Sequence, residues 1–309
     1  MKAAYHHAAV ALRRAESVVV CAHIRPDGDA IGSVLGLTLA LRQLGVQAIP
    51  TTADVRSAPS TYRWMPGFSL YTHADELEPP QVFVALDTPN LDRLGYAAEL
   101  AQKAEKLVVI DHHPDAVEFG HVHVFDPTAA ATGQMVWNLV KALDLKPTND
   151  VALCCYTALL TDTGRFAFQN TSPQAFRDAA EMLEAGVDPS EVAREVYQNR
   201  TAASLALETR VMNRLTIANH GKVAYTWIVD DDFTATGAKP EEAECLPESV
   251  RVIEGIQIAV LLNQRGPDVR GNLRAKGSFD VAEVARALGG GGHKAAAGFT
   301  AENTTVDEV

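Results

Sequence analysis

The sequence predicts an α/β protein: an N-terminal domain built on a mostly parallel sheet flanked by helices, a helical connector, and a smaller C-terminal α/β domain. Three observations carry this. Short β-branched runs, residues 17 to 22 (SVVVCA), 82 to 86 (VFVAL) and 107 to 110 (LVVI), alternate with helix-like stretches, the pattern of βαβ units and hence of parallel strands. Each run is followed at once by histidine or aspartate. Beyond residue 221 the pattern restarts, with strand-like 222 to 229 and 255 to 264 and helix-like 279 to 288.

Taken in order, the first residues read as an amphipathic helix and not as a signal peptide, because Arg13, Arg14 and Glu16 interrupt the apolar content. Residues 30 to 44 and 94 to 105 read as the helices between strands. Residues 173 to 185 and 188 to 214 also read as helical, with Pro189-Ser190-Glu191 after Asp188 as a start signal. The second stretch, rich in helix formers and charge, reads as a connector. The expected boundaries are 1–186, 187–214 and 215–309. The loop at Lys239-Pro240-Glu241-Glu242 is expected to be exposed, and the glycine run 289 to 292 ends the last helix.

Composition bounds the function. A chain of 309 residues, 47% hydrophobic, suits one large or two ordinary domains. A net charge of −12 argues against a broad basic face for long nucleic acid and leaves room for local basic pockets. Cys21, Cys154, Cys155 and Cys245 show no CxxC spacing. They read as reduced, mostly buried thiols of a cytoplasmic protein. No apolar stretch approaches the roughly 18 residues needed to cross a bilayer, so no membrane partner is expected.

The chemistry is expected where the apolar runs end, since ligands of open α/β sheets bind beyond the carboxyl ends of the strands. His23, Asp27 and Asp29 form HxxxDxD past the first strand, with Pro26 and Gly28 making a tight turn and Gly32-Ser33 expected to open a helix toward an anion. Asp87 follows VFVAL, Asp111, His112 and His113 follow VVI, and Asp162 sits in LLTDTGRF. Singly, each aspartate also reads as a cap or turn residue. Together, five aspartates at one sheet edge would repel severely without cations. Six ligands, His23, Asp27, Asp29, Asp87, His112 and Asp162, suffice for two divalent ions if one carboxylate bridges. Oxygen donors mixed with imidazole suit manganese, and also magnesium, iron(II) or cobalt, more than calcium. Such a pair, roughly 4 Å apart, serves in-line displacement at phosphorus. His113 is left to donate to the phosphate or leaving group.

Residues 289 to 299 (GGGGHKAAAGF) are neither a Walker loop nor GxGxxG. Gly290, Gly291 and Gly292 could bring backbone amides to an anion, with His293 and Lys294 adding polar groups; a helix end followed by a packed small-residue segment is the plainer alternative, but four glycines exceed what a cap needs, so a ligand loop is expected. Arg274, in GNLRAKG, is a phosphate-partner candidate.

HIRPDGDAIGS, LDTPN, IDHH and TDTG, in that order, resemble the four motifs of the DHH phosphoesterase superfamily, and GGGGHKAAAG resembles the signature of its DHHA1 domain. Within that superfamily the size is similar to the nano-RNase and pAp-phosphatase type. The resemblance implies hydrolysis of short RNA oligonucleotides to mononucleotides and removal of the 3′-phosphate of pAp. It implies a first metal on His23, Asp27 and Asp87, and a second on Asp29, Asp87, His112 and Asp162. Asp111 and His113 would be catalytic, and Arg274, the glycine loop and His293 would bind the nucleotide across a cleft. Homodimerisation is a further implication. One departure concerns substrate choice: Asn272-Leu273-Arg274-Ala275 stands where the family often has Ser-x-Arg-Ser. Rival readings are a cyclic di-AMP or pApA phosphodiesterase, a RecJ-like exonuclease on single-stranded DNA, a manganese pyrophosphatase and a non-catalytic nucleotide sensor.

Overall fold

A computed structural model describes residues 2–54 and 58–309 of the chain. The chain divides into two compact units, Met1–Gln198 and Asn199–Val309.

The first unit runs α1 (Lys2–Arg13), β1 (Ser17–Ala22), α2 (Gly28–Gln43), β2 (Gln47–Thr52), β3 (Thr72–His73), β4 (Val82–Leu86), α3 (Ala98–Lys103), β5 (Lys106–Asp111), β6 (Val122–Phe125), α4 (Thr132–Ala142), α5 (Asn149–Asp162), α6 (Pro173–Glu184) and α7 (Pro189–Ala193). Its six strands pair in the order β3-β2-β1-β4-β5-β6, every pair parallel. The apolar runs are continuous because both faces are covered. Val18, Val20, Val84 and Ile110 face a core shared with α1, α2, α4 and α5. Val19, Cys21, Phe83, Ala85 and Val109 face a second core beneath α3. The strand order reverses between β1 and β4, and that reversal is where an open sheet of this kind leaves a crevice at its carboxyl edge.

Three local expectations need correction. The helix after β1 begins at Gly28, two residues earlier than expected, with Asp27 as its N-cap accepting from Ala30 N at 3.1 Å. Gly32 therefore lies inside α2 and opens nothing. A Cβ there would stand 2.5 Å from the Cys154 carbonyl oxygen, so Gly32 lets α2 and α5 pack in contact. Residues 94 to 105 are not one helix. A 3-10 turn, Leu91–Ala97, kinks at Gly95 (φ +46) before α3, where a Cβ would meet the Ala53 carbonyl oxygen at 2.5 Å. Residues 188 to 214 are likewise broken. α7 begins with Pro189, whose missing N–H costs nothing at a first helical position, and Asp188 caps Ser190 N at 2.8 Å. A π-turn follows at Arg194–Gln198, and α8 (Ala202–Asn213) starts anew with Thr201 as cap. Val192 belongs to the first unit's core, whereas Leu207 and Val211 belong to the second's.

The second unit continues with β7 (Thr216–Ala218), β8 (Val223–Ile228), α9 (Asp230–Thr236), α10 (Leu246–Arg251), β9 (Ile258–Arg265), β10 (Asp268–Ala275), α11 (Val281–Ala287), β11 (Gly291–His293) and β12 (Ala296–Ala301). Its sheet order is β11-β12-β10-β9-β8-β7, antiparallel except for β8 beside β9. Strand β10 alternates, with Val269, Gly271, Leu273 and Ala275 buried and Arg270, Asn272 and Arg274 half-buried on the other face. Cys21, Cys154 and Cys155 are buried, Cys245 is exposed, and all four are free thiols. Among the described residues no helix is long and apolar enough to cross a membrane.

Candidate metal centre

His23 leaves the end of β1 and Asp87 the end of β4, the two strands at the order reversal. Asp87 adopts a left-handed backbone (φ +53), which aspartate tolerates better than bulkier residues. Its N–H donates to Ile110 O at 3.0 Å, and its carboxylate comes within 3.4 Å of His23 Nε2. Asp111 closes β5 and His112 follows. His112 Nε2 lies 3.6 Å from Asp87, 3.7 Å from Asp29 and 3.7 Å from Asp162. Asp27 and Asp29 come from the first turn of α2, Asp162 from the last turn of α5. Side chains from five separate segments thus meet at one edge.

Ligand atoms of His23, Asp27 and Asp87 lie within 4.8 Å of one another, as do those of Asp29, Asp87 and His112, and those of Asp87, Asp111 and His113. Asp87 is common to all three groups. Donor–cation bonds of about 2.0–2.2 Å put donors that share an ion roughly 3–4 Å apart, the spacing seen around His23 and His112 Nε2.

The surrounding hydrogen bonds orient these donors. A carbonyl oxygen only accepts, so the contacts of His23 Nδ1 with Ile24 O (2.8 Å) and His112 Nδ1 with Ala129 O (3.1 Å) put the proton on Nδ1. In a neutral ring each Nε2 lone pair then faces the carboxylates, the arrangement of a metal-binding imidazole. Asp29 accepts from Thr132 N (2.7 Å), Gly133 N (2.8 Å) and Ser33 Oγ (3.1 Å). The first two are amides at the start of α4, where a helix favours negative charge. Thr132 Oγ1 donates to Asp87 at 3.0 Å, and Asn170 Nδ2 donates to Asp162 at 3.2 Å and to Ala130 O at 2.9 Å.

The electrostatics of the site favour a cation. Burial first, and then the charges of Asp87 and Asp162, push the Asp29 carboxyl well above its ordinary range. Burial, then Asp27 and Asp87, do the same to Asp162. Burial also works to raise Asp87, but the His23 hydrogen bond and the neighbouring imidazoles win and hold it far below. Burial would depress His113, yet its hydrogen bond to Asp111 and the nearby carboxylates raise it to about 10. His113 Nδ1 meets Asp111 Oδ1 at 2.8 Å. Asp111 is fully buried, and its Oδ2 has no hydrogen-bond partner among the described residues. Carboxylates forced together, imidazole lone pairs aimed at them and an orphaned buried oxygen fit divalent cations. Protons alone satisfy the group poorly.

All eight sequence-expected residues of the first unit, His23, Asp27, Asp29, Asp87, Asp111, His112, His113 and Asp162, meet here. Thr132, Gly133 and Asn170 escaped the sequence reading. Thr132-Gly133 after three alanines is a faint helix-start signal, and nothing flags Asn170. In the second unit, Arg274 Nε donates to Glu248 at 2.8 Å. The register sets Arg274 beside Ala296 and Ala296 beside His293. A Cβ at Gly290 would meet Gly298 O at 2.1 Å, and one at Gly292 (φ +132) would meet Ala296 O at 2.7 Å. The close approach that these two glycines permit is to β12 and its own backbone.

Comparison with known proteins agrees with this geometry. Residues 17–159 match the N-terminal domain of the DHH family, and residues 220–309 match the DHHA1 domain. The chain is 36% identical over 94% of its length to the bifunctional oligoribonuclease and PAP phosphatase NrnA of Thermus thermophilus, of which it covers 86%. It is 26% identical to the Bacillus subtilis protein of the same description, over 92% of this chain and 88% of that one. An exopolyphosphatase-related protein from Bacteroides fragilis shares the fold with a TM-score of 0.91 at 23% identity, covering 100% of this chain and 93% of that chain. Motif order, fold and relatedness converge: the chain belongs to the DHH family and carries a DHHA1 domain.

Proposed function

We propose that this chain is a divalent-cation-dependent phosphoesterase that hydrolyses short oligoribonucleotides to mononucleotides and removes the 3′-phosphate of pAp. The observation that carries the reading is the convergence of four carboxylates and two Nε2-directed imidazoles at the order reversal of the sheet. The substrate class follows the names of the Thermus and Bacillus relatives.

One ion is assigned to His23, Asp27 and Asp87, and a second to Asp29, Asp87, His112 and Asp162, with Asp87 shared. Manganese is the preferred occupant, and magnesium or cobalt are alternates, because the set mixes carboxylate oxygen with imidazole nitrogen. Bound there, such ions supply Lewis acidity toward phosphoryl oxygens and a nucleophilic water at neutral pH. The chain's own residues do the rest. Thr132, Gly133 and Asn170 hold the carboxylates in place. Asp111 accepts from His113 Nδ1 and fixes the ring, so that Nε2 carries the proton offered to the departing oxygen. The face of the second unit with Arg274, His293 and residues 290 to 292 is assigned to nucleotide binding.

The test is a substrate panel with manganese: a dinucleotide RNA, a 24-nucleotide RNA, pAp, pApA and cyclic di-AMP. Fast release of mononucleotide from the dinucleotide and of AMP from pAp, with slow attack on the long RNA, is expected. Preference for cyclic di-AMP would overturn the substrate assignment. No turnover in the presence of bound metal would overturn the enzymatic reading.

A further inference from the structure

Two guanidinium groups beside the metal centre have no assigned role. Arg93 follows Asp87 by six residues, and its carbonyl accepts from Ile24 N at 2.8 Å, tying the two loops together. Its Nη2 lies 3.3 Å from His23 Nδ1. That nitrogen has no lone pair to offer, because its proton is given to the Ile24 carbonyl at 2.8 Å. Arg93 is half-buried. Arg25, exposed, stands between His23 and Asp27. Its backbone is left-handed (φ +56) although it precedes Pro26, a position where the proline ring disfavours helical backbone and where an L-residue costs about 1–2 kcal/mol. The carboxylate of Asp54 holds that turn by accepting from Arg25 N at 2.7 Å.

Among the described residues no carboxylate oxygen lies within 4.0 Å of either guanidinium. The Arg25 and Arg93 charges are close enough to act on each other. Two like charges held near each other, one half-buried without an acceptor and one on strained backbone, are arranged for an anion. Paired guanidiniums match the planar, bidentate geometry of phosphate oxygens. Strain of this kind persists where a site over-determines it.

We propose that Arg25 and Arg93 form a subsite for a second phosphate group of the substrate, next to the phosphate being hydrolysed. The inference rests on the phosphoesterase reading and deepens it: the substrate class is nucleotides with two phosphates in reach of one centre, such as pAp or a 5′-phosphorylated dinucleotide. Arg25 and Arg93 then select for the neighbouring phosphate, and the cations handle the scissile one.

The test compares substrates that differ only in that second phosphate: pAp with adenosine 3′-monophosphate, and pApA with ApA. Wild type, Arg25→Ala, Arg93→Ala and the double variant are assayed with saturating manganese. Binding of the same four ligands is followed by calorimetry. Wild type is expected to favour the doubly phosphorylated member of each pair at least tenfold in kcat/KM, mainly through KM. The double variant is expected to bring that ratio within about twofold of one. Arg25→Ala, exposed and outside the core, carries the test if Arg93→Ala fails to fold. Equal treatment of both members by wild type, in turnover and in binding, overturns the subsite. So does a parallel loss on both members with weakened manganese binding, which would make Arg93 a support for His23. If wild type hydrolyses none of the four, the phosphoesterase reading fails, and the binding ratios alone then decide the subsite.

Discussion

Replacing Gly32 by alanine tests how the helices that carry the site are held. In an ordinary helix this change stabilises by about 1 kcal/mol, because glycine is a poor helix former. Here the new Cβ would stand 2.5 Å from the Cys154 carbonyl oxygen and 2.9 Å from Ala158 Cβ. A carbon–oxygen contact tolerates no less than about 3.3 Å, so α2 and α5 must part by roughly 0.8 Å. The obstacle is backbone and cannot rotate away. Overpacking of this kind costs about 1–3 kcal/mol, and a gap of 0.5–1 Å forfeits about a quarter to a half of each contact well it opens. The net expectation is a loss of about 1–2 kcal/mol, or about 2–8 °C in Tm for a unit of this size. Because α2 carries Asp27 and Asp29 at its start and α5 carries Asp162 at its end, hydrolysis should fall by about 100-fold, the usual effect of an ångström-scale misplacement. Gly36→Ala is the comparison, since its Cβ would meet nothing nearer than the Cys155 Sγ at 3.0 Å and the Cys154 Cβ at 3.4 Å. Calorimetric melting and manganese titration of both variants give the answer. A Gly32→Ala protein that melts at or above wild type with unchanged metal affinity would refute the close-packing account.

Three further outcomes are expected. Asp29 and Asp162 have folded pKa values raised by burial and by their neighbours, above an unfolded value of about 3.9, so metal-free protein loses stability as pH rises through that interval. Melting in chelator should therefore be lower at pH 8 than at pH 5, and saturating manganese should remove the difference; a metal-free Tm that climbs over this range would contradict it. Asp232, fully buried on α9, accepts from Arg214 at 2.7 Å, Arg210 at 3.2 Å and Val229 N at 3.0 Å. Burial works to raise its carboxyl, but the Arg214 hydrogen bond and the contacts behind it lower it on balance. Its stabilisation is then complete above about pH 4 and lost as pH falls further. Because both arginines are partly solvated, Asp232→Asn should cost about 1–3 kcal/mol in urea unfolding at pH 7 and almost nothing at pH 2. Thr132→Val removes the hydroxyl that donates to Asp87 at 3.0 Å; manganese affinity should fall about 10-fold by calorimetry, and unchanged affinity would show that Asp87 needs no such support.

The sheet was legible because its strands are buried on both faces: SVVVCA, VFVAL and LVVI are continuous apolar runs, and each delivers its polar residue at the strand end. The candidate ligands at strand ends, His23, Asp87 and His112, were legible for the same reason, since a strand fixes where the next side chain goes. Residues acting through backbone left little trace. Thr132 and Gly133 serve largely by their amides, which any residue but proline offers. Asn170 reaches Asp162 across a loop that has no periodicity. Gly32 was read as part of a helix start because its partner, Cys154, lies far away in sequence. The glycines at 290 and 292 read as a ligand loop, because nothing in the sequence showed that they also let β12 lie against them. Arg25 and Arg93 attract notice only when their lack of carboxylate partners is seen.

The most direct test of the account is the manganese content of the purified protein and of Asp87→Asn after equilibrium dialysis, read with the rate of pAp hydrolysis. Among the described residues, Asp87 is the one carboxylate common to the three carboxylate-containing groups of the centre that could hold a metal. The account predicts about two ions per wild-type chain, loss of both together in a variant that still folds, and loss of hydrolysis with them. An Asp87→Asn protein that keeps a full complement of manganese, or that turns over pAp without any, would contradict it.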